Sequence, residues 1–239
     1  MRRLLNSINW GLAILNVFIV LGICLCSGVG DVAGKSVSVI AVVFEGYDKI
    51  RSLTTWADAF AVVLTGNLYL ALPLITSIAS LPLICDELRT KNYYFHISRI
   101  GVKKYIHSKY IGCIIAGVGA LLAGLVIFAI FVRITFPSQY DFGNSLFVGT
   151  LVDDTCGMIL GMLKVMLYML CWGAMLSILS CGLASLTQNI YIILCVPFLL
   201  NYIASRILLN TNICVFLVCA AVFYYVGYSL WVRRYMLRI

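Results

Sequence analysis

From Val165 to Ser205 the chain runs through 41 residues without one charged side chain. A bilayer core about 30 Å thick takes roughly 20 apolar residues of helix. This single run therefore has room for two crossings, with Thr187-Gln188-Asn189 as the polar turn between them. Four further charge-free blocks, Leu4–Gly30, Ala59–Cys85, Tyr110–Val132 and Ile213–Val232, are each long enough for one. Overall 63% of the residues are hydrophobic and 11% charged, whereas soluble domains sit near 45–50% and 25%. A soluble core could not hide so much apolar surface. The pattern predicts an all-α integral membrane protein, a single domain over residues 1–239. Its six transmembrane helices fall at about 9–27, 62–85, 110–133, 163–186, 190–208 and 213–232.

The first block follows Met1-Arg2-Arg3, as the core of a secretory signal would. It outlasts a signal core of about 7–15 residues and ends without a small-x-small cleavage site, so it is read as a retained span. Lys and Arg then set the orientation. The termini carry Arg2, Arg3, Arg233, Arg234 and Arg238. The connection between spans two and three adds Arg89, Lys91, Arg99, Lys103, Lys104 and Lys109, which brings that side to eleven of the seventeen basic residues. Positive-inside assigns this side, and both termini, to the cytoplasm of a multi-pass cell-membrane protein, with a bacterial plasma membrane as the expected setting. The net charge of +8 is then a topology signal, and nucleic acid is not expected as a partner.

Gly34-Lys35-Ser36 ends as a phosphate-binding P-loop ends, but the glycine that motif needs five positions before Gly34 is replaced by Val29. The segment also falls on the outer side, so it is read as a decoy. Ser36–Phe44 alternates like a short strand or a segment lying flat on the membrane, and the apolar stretch from Gly157 to Lys164 could re-enter the outer leaflet. Small residues spaced at four, Ala116, Ala120 and Gly124 in span three and Gly157 and Gly161 before span four, predict close helix contacts. Tyr224, Tyr225, Tyr228 and Trp231 read as an interfacial aromatic belt, and Pro73 and Pro197 as bends in spans two and five.

Catalytic chemistry finds no constellation. The only histidines, His96 and His107, lie in the basic connection, and the only glutamates are Glu45 and Glu87. No HExxH motif or aspartyl pair falls inside a span, so no catalytic residue is assigned. The ten cysteines lie mostly in or beside spans, where Cys behaves as a small hydrophobe. Cys24-x-Cys26 could pair with Cys156 or Cys214, but without a neighbouring histidine it is not read as a metal site. Polar groups in or beside spans mark a weak substrate path: Asn67, Lys164, Asn201 and Arg206. Snorkelling of the two cations to the headgroups and helix–helix hydrogen bonding by the amides are the plainer roles.

The informative stretch is Cys85–Gly112, CDELRTKNYYFHISRIGVKKYIHSKYIG. Asp86 reads as the cap of a new helix with Glu87 in its first turn, and Gly101 as its end. Tyr93, Tyr94 and Phe95 would then sit on a short surface helix flanked by charge. One reading of that helix is a basic amphipathic segment resting on membrane lipid.

The order Asp86-Glu87, Tyr93-Tyr94, Ser98-Arg99-Ile100-Gly101, Tyr105-Ile106 and Ser108-Lys109 resembles the connection between spans two and three in ABC-2 type transporter permeases. That family commonly has a small residue a few positions after the glutamate, where this chain has Lys91-Asn92. The resemblance implies a coupling helix that docks on an ABC ATPase subunit, with Asp86, Glu87, Arg89, Tyr93, Tyr94, Phe95 and Arg99 as the coupling residues. It also implies a second permease subunit, identical or not. This chain would carry no cofactor, since ATP and Mg would be held by the partner ATPase. The expected function is export of a hydrophobic or amphipathic substrate such as a peptide, bacteriocin or toxin. A membrane assembly or sensor protein without an ATPase, and a secondary transporter, are the alternatives. The latter lacks support from inverted repeats or midplane charges.

Overall fold

The computed structural model describes residues 10–32, 35–45, 54–78, 80–136, 155–187, 189–207 and 213–236. Arg2, Arg3, Arg238, Gly34, Gln188 and the outer-loop residues Pro137, Asp141, Asp153 and Asp154 lie outside these. The described chain is helical apart from one small hairpin. The helices are α1 (Trp10–Cys26), α2 (Val39–Phe44), α3 (Trp56–Val63), α4 (Tyr69–Ile78), α5 (Leu81–Arg89), α6 (Tyr93–Ile100), α7 (Val102–Thr135), α8 (Thr155–Leu183), α9 (Ile190–Ile207) and α10 (Ile213–Met236). A π-helical turn, Leu64–Leu68, joins α3 to α4.

Among the described residues four stretches are long and apolar enough to cross a membrane: Ala59–Arg89, Val102–Thr135, Leu160–Leu183 and Val215–Tyr235. They show an all-α membrane protein. Trp10–Cys26 and Ile190–Ala204 are apolar but shorter. With 17 residues, α1 measures about 26 Å at 1.5 Å per residue.

The boundaries differ from the sequence expectation for identifiable reasons. Helix α7 starts at Val102 rather than 110, because nothing after Gly101 breaks the helical pattern. Its first two turns are amphipathic, with Lys103, Lys104 and His107 exposed and Tyr105, Ile106 and Lys109 buried. The Gly157–Lys164 segment is not a separate element; it forms the first turns of α8, uninterrupted by any turn residue. Helix α9 continues through Pro197, and α4 contains Pro73. The departure from helical geometry in span two falls instead at Gly66, and a second restart follows at Leu81 with Pro82 in the first turn.

Strands β1 (Gly28–Val32) and β2 (Lys35–Ser38) pair antiparallel, with Val32 opposite Lys35 and Gly28 opposite Ser38. Ser38 then caps α2 by accepting from the Ala41 amide at 3.3 Å. Lys35 and Ser36 are thus strand residues in a hairpin and do not open a helix, which is where a P-loop would put them.

By internal contacts the chain divides into two compact units. The first comprises Met1–Val17, Leu70–Leu121 and Leu170–Ile239. Within it α7 and α4 meet backbone to backbone: a Cβ added at Gly117 would lie 2.3 Å from the Thr76 carbonyl oxygen. Beside that contact the Ser177 hydroxyl donates to the Thr76 carbonyl at 3.3 Å, and the Ser77 and Ser180 hydroxyls bond at 2.8 Å. The Asn16 amide donates to the Ile75 carbonyl at 2.5 Å. Such small-residue seams with interhelical hydrogen bonds hold helices together where lipid removes the hydrophobic drive. Ala116 and Ala120 are buried as their spacing predicts.

The second unit comprises Phe18–Tyr69 and Leu122–Met169. Phe60 and Phe128 stack at 6.0 Å, and the Arg133 guanidinium lies 5.5 Å over the Trp56 ring. Val20, Cys24, Leu64, Leu68, Leu125 and Val132 fill its interior. Gly161, expected at a close contact, has nothing within 4 Å of an added Cβ.

Candidate functional site

The basic connection folds as a helix, a tight turn and a second short helix. Asp86 and Glu87 sit inside the last turns of α5, so Asp86 does not cap a new helix. The chain turns at Thr90–Asn92, where Lys91 takes φ 60°, the left-handed region that favours glycine. The Thr90 amide and hydroxyl both donate to the Asp86 carbonyl at 2.8 Å, closing the end of α5. Gly101 ends α6 as its residue type predicts, with φ 79° and its amide donating to the Ile97 carbonyl at 2.8 Å.

One carboxylate fastens this corner to the foot of α7. Glu87 Oε1 accepts from Lys109 Nζ at 2.6 Å, and Oε2 accepts from the Tyr105 hydroxyl at 2.9 Å. The Lys109 and Glu87 side chains are only 10% and 23% exposed. Lys109 Nζ also lies 5.4 Å from the Tyr105 ring centroid. Partial burial weakens solvent competition, so this pair is worth more than a surface ion pair.

Aromatic rings continue the attachment to α10. Tyr93 is buried, with its ring 4.2 Å from that of Tyr94 and 5.1 Å from that of Tyr235. Tyr105 meets Tyr235 edge-on at 6.0 Å, and Trp231 stacks on Tyr235 at 5.4 Å. The Trp231 indole donates to the Cys181 carbonyl at 3.1 Å, and the Arg234 guanidinium donates to the carbonyls of Ala184 and Ser185. Trp231 is therefore a core residue and not part of an aromatic belt, whereas Tyr225 stands 75% exposed.

The expected coupling residues divide in two. Glu87 and Tyr93 are committed to contacts inside the chain. Asp86, Arg89, Tyr94, Phe95 and Arg99 face outward, and Phe95 is 72% exposed. The fastening residues Tyr105 and Tyr235, and the role of Lys109, were missed by sequence reasoning. Their signal was present in part: Tyr105 and Lys109 are four apart and share one helix face.

The four polar candidates for a substrate path are not brought together by any hydrogen bond or ion pair among the described residues. Asn201 is buried and accepts from the Trp172 indole at 2.5 Å, so it serves helix packing. Lys164 is exposed on α8, Asn67 is exposed in the π turn, and Arg206 lies in α9. Among the described residues no group of three or more His, Cys, Asp or Glu side chains is placed to hold a metal ion. Cys24 and Cys26 are free thiols, one buried and one exposed.

The chain matches no family model, no curated protein and no solved structure.

Proposed function

We propose that this chain is the transmembrane permease subunit of an ABC-2 type transporter, driven by a separate ATPase that docks on α6. The observation that carries the reading is the division of α6. One side is anchored by Tyr93 against Tyr235, while Tyr94, Phe95 and Arg99 are exposed on the other. Helix α5 forms the end of one candidate span, and the Glu87–Lys109 pair ties it to the foot of the next. A push on α6 would thus be passed to two spans at once. Exposed aromatic and Arg side chains are the residue types that dominate protein interfaces, at about 2 kcal/mol or more each when buried by a partner.

In this reading α1 and α9 complete six crossings, and the basic end with both termini faces the cytoplasm. A second permease, identical or not, forms the other half of the path. ATP and Mg stay on the ATPase, and the cargo is a hydrophobic or amphipathic molecule such as a peptide. The test is purification of the chain from its native membrane with mass spectrometry of what accompanies it. An ATP-binding-cassette ATPase should co-purify with the wild-type chain and be lost on Tyr94→Ala/Phe95→Ala. Failure of any such ATPase to accompany the wild-type chain refutes the assignment.

A further inference from the structure

Helices α8, α9 and α10 line a cavity of about 160 Å³, all of it within the first compact unit. Trp172 and Leu176 of α8 and Phe216 of α10 form a buried wall. Leu200 and Ala204 of α9 and Cys219 of α10 add to the lining. Leu200 is 41% exposed, so the cavity reaches the surface at α9. No nitrogen or oxygen atom opens on it.

The space persists because its wall is pinned. The Trp172 indole donates to the Asn201 side chain at 2.5 Å and meets the Phe216 ring edge-on, with centroids 4.5 Å apart. An indole held by both contacts does not swing into the space, and Ala204 is too short to fill it. An unfilled cavity destabilises in proportion to its volume when the surroundings cannot collapse. Water does not relieve that cost, because it needs two to four polar partners and finds none here. An engineered apolar cavity of about 150 Å³ stays dry yet takes up benzene, so this one has room for about six carbons.

Its setting decides which hydrocarbon. All the lining residues fall within the apolar stretches Leu160–Leu183, Ile190–Ala204 and Val215–Tyr235. The first and last of these are long and apolar enough to cross a membrane. The exposed neighbours in sequence are apolar too: Leu199 and Ile203 on α9, Leu217 and Val218 on α10. The medium against such a surface is lipid tail. An acyl chain entering from the bilayer leaves no hydration shell behind and gains dispersion contacts along the wall.

We propose that the cavity is a lipid site, in which the end of one phospholipid acyl chain rests against Trp172, Leu176 and Phe216. The chain end fills the space that the pinned indole keeps open, and it bridges α8, α9 and α10. The site takes hydrocarbon alone, because nothing in it bonds to a polar group. This inference does not depend on an ATPase partner.

Photolabelling of the full-length chain in lipid nanodiscs tests it. The probe is a phosphatidylcholine with a diazirine at the methyl end of one acyl chain, and mass spectrometry locates the adducts. Lipid at the surface marks exposed side chains such as Leu199 and Leu217. A chain inside the cavity also marks Trp172 and Leu176, which are buried from the surface. Those wall adducts should be lost in Ala204→Phe, whose ring occupies the space, while the Leu217 adducts remain. Cys219→Leu fills the cavity from α10 and gives the same reading should the larger substitution misfold. Absence of wall adducts in the wild type overturns the proposal, whether a second copy or this chain's own residues fill the space. Wall adducts that persist undiminished in the filled variants overturn it as well.

Discussion

Replacing Lys109 by Met and Glu87 by Gln, singly and together, measures how firmly α5 is held to α7. The 2.6 Å ion pair is shielded by burial of both side chains, and Glu87 has a second donor in the Tyr105 hydroxyl at 2.9 Å. A hydrogen bond to a charged group contributes about 1.5–3 kcal/mol net. Losing Lys109 leaves the carboxylate with one protein donor and limited access to water, so the single change should cost about 2–3 kcal/mol. Glu87→Gln should cost a similar amount, because it strands the ammonium beside a neutral amide. If the two groups act mainly on each other, the double variant should be much less destabilised than the sum of the single ones. The expected coupling energy is about 1.5–2.5 kcal/mol. For a chain of this length 1 kcal/mol moves the midpoint by roughly 2–4 °C, so each single variant should melt about 4–12 °C lower. Thermal unfolding in detergent, followed by tryptophan fluorescence, reads all four proteins. A coupling below about 0.5 kcal/mol would mean that solvent already screens the pair, and the fastening argument would fail.

Two further outcomes follow from packing alone. Gly117→Ala should destabilise by about 1–3 kcal/mol or more, since the new Cβ meets the Thr76 backbone at 2.3 Å; Gly119→Ala, with nothing within 4 Å on the same helix, should be neutral or stabilising by up to about 1 kcal/mol, as read by thermal unfolding. Tyr93→Ala should cost about 3–5 kcal/mol as a core truncation, while Phe95→Ala should change stability by less than about 0.5 kcal/mol; equal effects in the same melts would contradict the inward and outward assignment of the two rings.

The helices were legible because lipid imposes a one-dimensional rule. A run of about 20 apolar residues without charge has few options besides a helix, so Tyr110–Val132 and Val165–Ser205 announced theirs. Local chemistry was legible for the same reason of short range: Gly101 stops α6 because it tolerates φ 79°, and Ser38 caps α2 because its hydroxyl reaches an amide three residues on. Position Lys91 was noticed only as a departure from a familiar pattern; the structure shows the left-handed turn placed there.

What remained hidden depends on partners distant in sequence. Glu87 could have faced lipid headgroups, a partner or solvent, and only the folding of α7 beside α5 brings it Tyr105 and Lys109 from 18 and 22 residues away. Tyr93, Tyr94 and Phe95 are chemically alike and adjacent, so composition cannot say which turns inward; the position of Tyr235 decides it. Gly117 carries no mark distinguishing it from Gly119, yet one touches the Thr76 backbone and the other has nothing within 4 Å. The break at Gly66 was likewise invisible within an uninterrupted apolar block, where Pro73 drew the expectation of a bend. Hydropathy and residue type determine which segments become helices and where they end. Which face of each helix meets which neighbour is settled only when the helices pack, because that choice depends on shape across the assembled interface.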